Sequence, residues 1–267
     1  MIIRDERERE ILREGGAKLA RILADLSKAI HHGMTTEELD RIAEDLIRKS
    51  GGEPSFKGYR VHGAPTPFPA SLCVSINHEV VHGIPSEKRV FSIGDVVGLD
   101  IGMKYKGLFT DTALTVIVHS GGDSAFPDGK AQVLYLESEH LIDSTKKALM
   151  RGIAVVKAGV YTGDIGYEIQ RFLEDEGYGV VKELVGHGVG KKVHEEPDIP
   201  NWGKPGTGVK LREGEVIALE PMATVGSCTV DVGPDGWTWM TVDGSIAAHF
   251  EHTLIVTKDG AEVITQL

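Results

Sequence analysis

Residues 94–100 read GDVVGLD, and residues 214–220 of the same chain read GEVIALE. Each run contains the aliphatic residues that favour β-strands, and each ends in an acid, Asp100 in the first and Glu220 in the second. The match predicts two related strands that present a carboxylate at equivalent positions.

Similar segments surround both runs. Three further pairs keep the same order in the two halves: 33–36 with 159–162 at helix starts, 82–85 (HGIP) with 194–197 (HEEP), and 111–114 (DTAL) with 251–254 (EHTL). Four matches in one order favour duplication over chance, and neither period nor copy number suits a solenoid. We therefore predict one catalytic α/β domain over residues 1–267, with pseudo-symmetric halves at about 1–120 and 130–267.

Hydrophobic periodicity locates the main elements. The predicted helices are 5–31, a second one capped by Thr36 and ending at the glycines 51–52, 131–157, and one beginning at Thr162. The predicted strands are 72–76, 96–101, 112–118, 216–219 and 253–256. We expect the polar segment 119–130 to connect the halves.

The composition is that of an ordinary globular protein, with 41% hydrophobic and 26% charged residues. A net charge of −11 opposes binding to nucleic acid or to anionic membranes, because phosphate contacts need Lys or Arg. The first ten residues are rich in charge, and no apolar run is long enough to span a bilayer, so we expect a cytoplasmic protein. Cys73 and Cys228 form no C-x-x-C pair, which argues against a disulfide framework or a structural zinc site.

The acids at the strand ends require compensation. If 96–101 and 110–116 form a hairpin over a turn at 104–107, Asp100 and Asp111 lie directly opposite each other, where like charges destabilise a sheet. An isolated acidic pair of this kind is usually just solvated. The matching pair Glu220 and Glu251 changes that interpretation, because pseudo-twofold packing would bring four carboxylates together, and a partly buried site tolerates them only with cations.

His187 lies in the segment 186–190 (GHGVG) and is the natural nitrogen ligand for such a site. The segment 186–190 could also be a plain turn, and that interpretation is not ruled out by the sequence. A dinucleotide-binding loop is disfavoured, because the G-x-G-x-x-G spacing is missing. Carboxylates with one imidazole suit Mn²⁺, Fe²⁺ or Co²⁺ better than a thiolate zinc centre, although zinc is not excluded. Two ions about 3.5–4 Å apart can activate water for a hydrolytic displacement.

Taken together, these motifs resemble type I methionine aminopeptidase. The segments that carry the resemblance are 80–85 (VVHGIP), 186–190 (GHGVG), 194–197 (HEEP), 220–222 (EPM) and 250–253 (FEHT), together with Asp100 and Asp111. The resemblance extends from the first helix to the end of the sequence. It implies the pita-bread fold of the α/β (α+β) class, a curved antiparallel sheet flanked by two pairs of helices with an internal pseudo-twofold repeat.

The resemblance also implies a role for each ligand. Asp111 and Glu251 would bridge two divalent ions, His187 and Glu220 would complete one site, and Asp100 would hold the other ion. A hydroxide bridging the metals would attack the carbonyl that follows methionine, with Glu220 accepting and donating the proton. Co²⁺, Mn²⁺ or Fe²⁺ are the expected cofactors, with Zn²⁺ or Ni²⁺ as further options.

Two more histidines acquire roles from the same comparison. His194 would hydrogen-bond the carbonyl oxygen, and His82 would contact the peptide nitrogen of the next residue. Each alone would be an ordinary half-exposed histidine, but they occupy paired places in the repeat. The remaining histidines, including His31, His32, His62 and His140, are expected to be structural. The predicted methionine pocket, an apolar and polarisable lining suited to a thioether, consists of Tyr59, Phe68, Cys73 and Trp237.

The implied reaction removes the initiator methionine from nascent proteins, preferably before a small second residue. The expected partners are nascent N-termini near the ribosome, with no nucleic acid and no membrane, and the expected state is a monomer. Xaa-Pro peptidases share the fold, but the roughly 90 residues before Asp100 leave no room for their usual extra domain. The spacing of 26 between His194 and Glu220 likewise leaves no room for the type II insertion. A non-catalytic binding relative would be expected to lose ligands, and all five positions are intact.

Overall fold

A computed structural model describes residues 1–61, 63–119 and 129–267. The helices in these ranges are α1 (Glu6–Ala29), α2 (Thr36–Lys49), α3 (Gly129–Val155) and α4 (Thr162–Asp175). The strands are β1 (Glu53–Pro54), β2 (Leu72–Ile76), β3 (Glu79–Val81), β4 (Val96–Tyr105), β5 (Leu108–Ile117), β6 (Gly179–Val180), β7 (Gly186–Gly188), β8 (Glu195–Ile199), β9 (Val216–Leu219), β10 (Met222–Thr224), β11 (Val230–Val232), β12 (Trp239–Thr241), β13 (Ala247–His249), β14 (Glu251–Val256) and β15 (Ala261–Val263). No helix in the described ranges is long and apolar enough to cross a membrane. Most of the predicted connection at 119–130, and His62, lie outside the described residues.

A nine-stranded sheet forms the centre of the fold. Its main order is β1-β4-β5-β14-β9-β7-β8, with β2 on β4 and β15 on β14, and the pairings are antiparallel. The two halves meet where β5 pairs with β14, so that β4 and β9 occupy equivalent positions on either side. The two acid-ended runs therefore lie in one sheet, symmetrically on either side of the central β5–β14 pair.

The helices cover one face of this sheet in two layers of similar construction. Buried side chains of α1 and α2 pack against Leu99 and Ile101 of β4, and those of α3 and α4 pack against Ile217 and Leu219 of β9. Since side chains alternate along a strand, Asp100 projects from the opposite face. The helices thus leave the acid-bearing face open for a site.

The helix starts repeat in detail, with one correction to the prediction. The N-cap of α2 is Thr35, whose side chain accepts from the Glu38 N–H, and Thr36 is instead the buried first helical residue. The glycines before the two caps have similar positive φ, +88° at Gly33 and +91° at Gly159. A Cβ is disfavoured in this left-handed region, which explains why both turns use glycine.

The β4–β5 hairpin differs from the predicted one. Tyr105 pairs with Leu108, and the turn consists of Lys106 and Gly107 alone, both at positive φ. A two-residue turn with this backbone matches the twist of the flanking strands. The strands are therefore longer than predicted, and Asp100 pairs with Ala113 rather than with Asp111. Asp111 lies opposite Gly102, so the two acids are diagonal neighbours on one face.

Candidate metal centre and substrate pocket

Four strands place the acidic side chains on the open face of the sheet. Asp100 lies on β4, Asp111 on β5, Glu251 at the start of β14, and Glu220 directly after β9. The Cα pairing of Leu219 with His252 brings Glu220 next to Glu251. Exposure is only 8% for Asp100, 3% for Asp111 and 2% for Glu251. The sheet thus brings the predicted acids together where they are almost inaccessible to solvent.

The potential ligand atoms form overlapping groups. Oxygens of Asp100, Asp111 and Glu251 lie within 4.8 Å of one another, and so do the ligand atoms of His187, Glu220 and Glu251. Glu251 belongs to both groups. Asp111 also belongs to a third group, with His187 and His194. The structure therefore brings all five predicted metal ligands together, and Asp111, His187 and Glu251 each belong to two of the groups.

The electrostatics of this cluster suit divalent cations. Burial raises the pKa of Asp100 to about 7. For Asp111 and Glu251, burial and then repulsion between neighbouring carboxylates raise the pKa well above its usual range. Asp100 Oδ1 and Glu251 Oε1 are buried and accept no hydrogen bond from the residues that the structure describes. Cations would supply both the missing charge and the missing partners, so the residues present fit a metal centre.

His187 lies on β7, where the next residue, Gly188, has no room for a side chain. A Cβ on Gly188 would lie 2.3 Å from the Glu196 carbonyl oxygen on β8, so glycine permits the close approach of β7 and β8. Nδ1 of His187 lies 2.9 Å from the Gly188 carbonyl oxygen, to which it donates. Nε2 is then unprotonated and lies 3.4 Å from Glu220 Oε1. Burial lowers the pKa of His187 to about 3, which keeps the ring in its metal-binding form.

An apolar pocket opens directly onto the cluster. Phe68 and Trp237 meet edge to face at 5.3 Å between ring centroids, and both are buried. The indole N–H of Trp237 donates to the Thr66 carbonyl oxygen at 3.0 Å, which fixes the ring without exposing it. The cavity is lined by Phe56, Tyr59, Val61, Phe68, Cys73, His82, Asp100, Asp111, His187, His194, Glu220, Trp237 and Glu251. Every predicted site residue lines this one cavity.

His82 and His194 lie at its polar side. The ring of His194 is 4.4 Å from that of His187, centroid to centroid, and its Nδ1 is 2.7 Å from the Tyr59 hydroxyl. His82 has a left-handed backbone with φ of +59°, and its ring is 6.4 Å from that of Trp237. Burial lowers the pKa of His82 to about 4, so this ring is neutral near pH 7.

The sequence prediction missed three residues here. Phe56 and Val61 line the cavity, and neither belongs to a motif. His249, which the prediction left among the structural histidines, has its Nε2 only 3.4 Å from Glu220 Oε2. One signal was available, because His249 precedes Glu251 by two residues and therefore shares its side of an extended chain.

Comparisons with known proteins agree with this geometry. The family model described as metallopeptidase family M24 matches residues 10–258. Methionine aminopeptidase of Clostridium acetobutylicum is 42% identical over 99% of this chain and 98% of its own length. Methionine aminopeptidase 1 of Bacillus subtilis is 40% identical over the whole of both chains. The crystal structure of methionine aminopeptidase from Thermotoga maritima covers 100% of both chains with a TM-score of 0.89 at 39% identity.

These matches confirm the predicted pita-bread fold and the predicted family. A curved antiparallel sheet flanked by four helices is common to this chain and the Thermotoga maritima structure. The similarity extends over the full length of both proteins, so it includes every element that carries a site residue. The chain belongs to metallopeptidase family M24, in its methionine aminopeptidase branch.

Proposed function

We propose that this chain is a dinuclear aminopeptidase that removes the initiator methionine from nascent proteins and peptides, preferably before a small second residue. One observation carries the proposal. The buried cluster of four carboxylates and His187 forms one end of a pocket whose other walls are mainly apolar and aromatic. Such a pocket binds an unbranched thioether side chain with its peptide bond next to the cluster.

Five residues would hold the metals. Asp111, Glu251 and His187 each belong to two ligand groups. Of these, only the two carboxylates have a second oxygen to offer a second ion, which supports a bridging role for Asp111 and Glu251. His187 with Glu220, and Asp100 alone, would complete the two sites. Oxygen-rich ligands favour Co²⁺, Mn²⁺ or Fe²⁺, with Zn²⁺ and Ni²⁺ as alternatives. When bound, such cations polarise the scissile carbonyl and lower the pKa of water.

The chain's own groups handle the proton and the substrate. The Glu220 carboxylate takes a proton from the attacking water and returns it to the leaving amine. His194 donates to the carbonyl oxygen through Nε2, since Nδ1 is engaged by Tyr59. The neutral ring of His82 contacts the peptide nitrogen of the second residue. The methionine side chain lies among Tyr59, Phe68, Cys73 and Trp237.

We extend the proposal to the setting in which the reaction occurs. Residues 1–267 act as one catalytic domain of two halves, about 1–120 and 130–267, and as a monomer. The enzyme works in the cytoplasm on N-termini emerging near the ribosome, without nucleic acid or membrane. Its net charge of −11 supports the absence of nucleic-acid and membrane binding, because phosphate contacts need Lys or Arg. Sedimentation equilibrium tests the monomer, and a stable dimer at micromolar concentration would contradict it.

A peptide assay tests the proposed activity. Protein stripped of metal and reconstituted separately with Mn²⁺, Co²⁺, Fe²⁺ and Zn²⁺ is incubated with Met-Ala-Ser, Met-Leu-Ser, Leu-Ala-Ser and an Xaa-Pro dipeptide. We expect methionine release from Met-Ala-Ser above all, and none without metal. Preferential cleavage of the Xaa-Pro dipeptide would instead assign the chain to the proline peptidases.

A further inference from the structure

The carboxylate of Glu220 lies between two imidazole rings. Nε2 of His187 is 3.4 Å from Oε1, and Nε2 of His249 is 3.4 Å from Oε2. His187 already has a role as the proposed nitrogen ligand. His249 has none, although its ring faces the other oxygen of the same carboxylate.

The backbone of His249 is fixed on both sides. Its N–H donates to Thr115 Oγ1 at 2.9 Å, and the Thr115 hydroxyl donates back to the His249 carbonyl oxygen at 2.8 Å. On the other side, His249 pairs with Met222 of β10, two residues after Glu220. The residue is only 3% exposed. The ring is therefore held against Glu220 by strands that leave it little freedom.

The Nε2 atom of His249 is buried and has no hydrogen-bond partner among the described residues. A buried polar nitrogen without a partner is unfavourable, and native proteins usually provide one. An ionised carboxylate, the form in which Glu220 would bind a metal, has only acceptor oxygens, so the imidazole nitrogen that faces it carries the proton. A small rotation of either group closes the 3.4 Å contact into a hydrogen bond.

We propose that His249 is a positioning residue for Glu220. Its Nε2–H donates to Oε2 and orients the carboxylate so that Oε1 faces the side occupied by His187. This inference rests on the proposed function, because it takes Glu220 as a metal ligand and proton acceptor. His249 is not itself a ligand, since it belongs to none of the ligand groups that the described residues form. Residues that hydrogen-bond to ligands in this way commonly tune metal affinity and activity.

Two kinds of variant separate the N–H donor from the packing of the ring. His249→Phe keeps a planar ring without a donor, and His249→Gln keeps an N–H donor without the ring. His252→Phe is the matched control, because that ring is also largely enclosed but its Nδ1 contacts Thr265 Oγ1 at 3.0 Å. Calorimetric titration of the metal-free proteins with Mn²⁺ gives affinity and stoichiometry, and Met-Ala-Ser gives kcat and KM.

The expected result is a specific loss in His249→Phe. Its Mn²⁺ affinity and kcat each fall about 10–100-fold, while KM changes little, because the apolar pocket is intact. His249→Gln recovers most of the affinity, and His252→Phe stays close to wild type. Thermal unfolding verifies that each variant is folded, and His249→Leu replaces the Phe variant if the larger ring prevents folding.

Three outcomes would overturn the inference. A folded His249→Phe with wild-type Mn²⁺ affinity would show that Glu220 needs no such support. Equal impairment of His249→Gln and His249→Phe would exclude the N–H donor. An equal loss in His252→Phe would indicate a general effect of removing an enclosed histidine. If wild type releases no methionine, the proposed function fails, whereas the Mn²⁺ titrations still decide whether His249 positions Glu220.

Discussion

The phenolic oxygen of Tyr59 lies 2.7 Å from Nδ1 of His194, and the two rings meet edge to face at 5.1 Å between centroids. One side chain thus serves two purposes. Its ring lines the apolar pocket, while its hydroxyl holds a histidine that lies next to His187. When the phenol donates to Nδ1, the N–H of His194 is on Nε2, from which it can donate to a substrate carbonyl.

Tyr59→Phe separates the two purposes, since it removes only the hydroxyl. We expect kcat for Met-Ala-Ser to fall about fivefold, because one hydrogen bond of about 1 kcal/mol that orients His194 is lost. KM should change little, whereas Tyr59→Leu should also raise KM by removing the ring from the pocket. Steady-state kinetics checks both variants, and an unchanged kcat in Tyr59→Phe would argue against an orienting role.

Asp111→Asn removes charge from a residue that belongs to two of the ligand groups. A bridging ligand serves both ions, so we expect bound metal and activity to be lost together rather than one ion alone. Metal content per chain and release of methionine from Met-Ala-Ser are the two measurements. Asp143→Asn, which alters an acid paired with Lys147 on α3, is the control and should retain both. Full activity in Asp111→Asn would contradict the ligand assignment.

The β4–β5 hairpin shows which part of the site was predictable. The sequence placed Asp100 and Asp111 together, although the assumed register was wrong by two residues. A shift of two leaves every side chain on the same face, because the side-chain period of a strand is also two. The turn was correctly predicted within 104–107, but not its two-residue form, since Lys106 adopts a positive φ that few residues other than glycine favour.

His249 shows the limit of reasoning from a repeat. The duplication identified acids and histidines that have counterparts in the other half, and these converge in the structure. The residue two positions before Asp111 is Phe109, so His249 has no histidine counterpart and the comparison passed over it. Its contact with Glu220 depends on the pairing of β10 with β13, a tertiary feature.

The stability of the metal-free protein should depend on pH in a way that metal abolishes. Burial raises the pKa of Asp100 to about 7 and that of Glu220 to about 8, while unfolded carboxyls titrate near 4. Burial lowers the pKa of His187 to about 3 and that of His249 to about 4, whereas unfolded histidines titrate near 6.5. Because the unfolded chain binds more protons at these histidines below about pH 6.5, their contribution to the free energy of unfolding rises with pH up to that point. Above about pH 6.5 the histidines therefore no longer change the free energy of unfolding, and only the carboxyl groups do.

Between about pH 6.5 and 8, the folded metal-free protein holds protons that the unfolded chain has released. The free energy of unfolding therefore falls as pH rises, by up to about 1.4 kcal/mol per pH unit for each such carboxyl. Urea unfolding with EDTA or with Mn²⁺ across this range provides the measurement. Asp100→Asn/Glu220→Gln should make the metal-free curve less steep, while Asp111 and Glu251, whose pKa values burial also raises, should keep part of the slope. Stability that rises with pH in the EDTA samples would contradict the prediction.

Gly188 lies beside the proposed nitrogen ligand and permits β7 to pair closely with β8. In Gly188→Ala the new Cβ would be 2.3 Å from the Glu196 carbonyl oxygen, a backbone atom that can give way only if the strands separate. We expect a loss of about 1–3 kcal/mol in the free energy of unfolding. Metal affinity should fall as well, because His187 donates to the Gly188 carbonyl oxygen. Gly260→Ala is the matched control, since a Cβ there meets no atom of the described residues within 4 Å. Urea midpoints compare the two variants, and equal midpoints would mean that β7 and β8 adapt to the methyl group without strain.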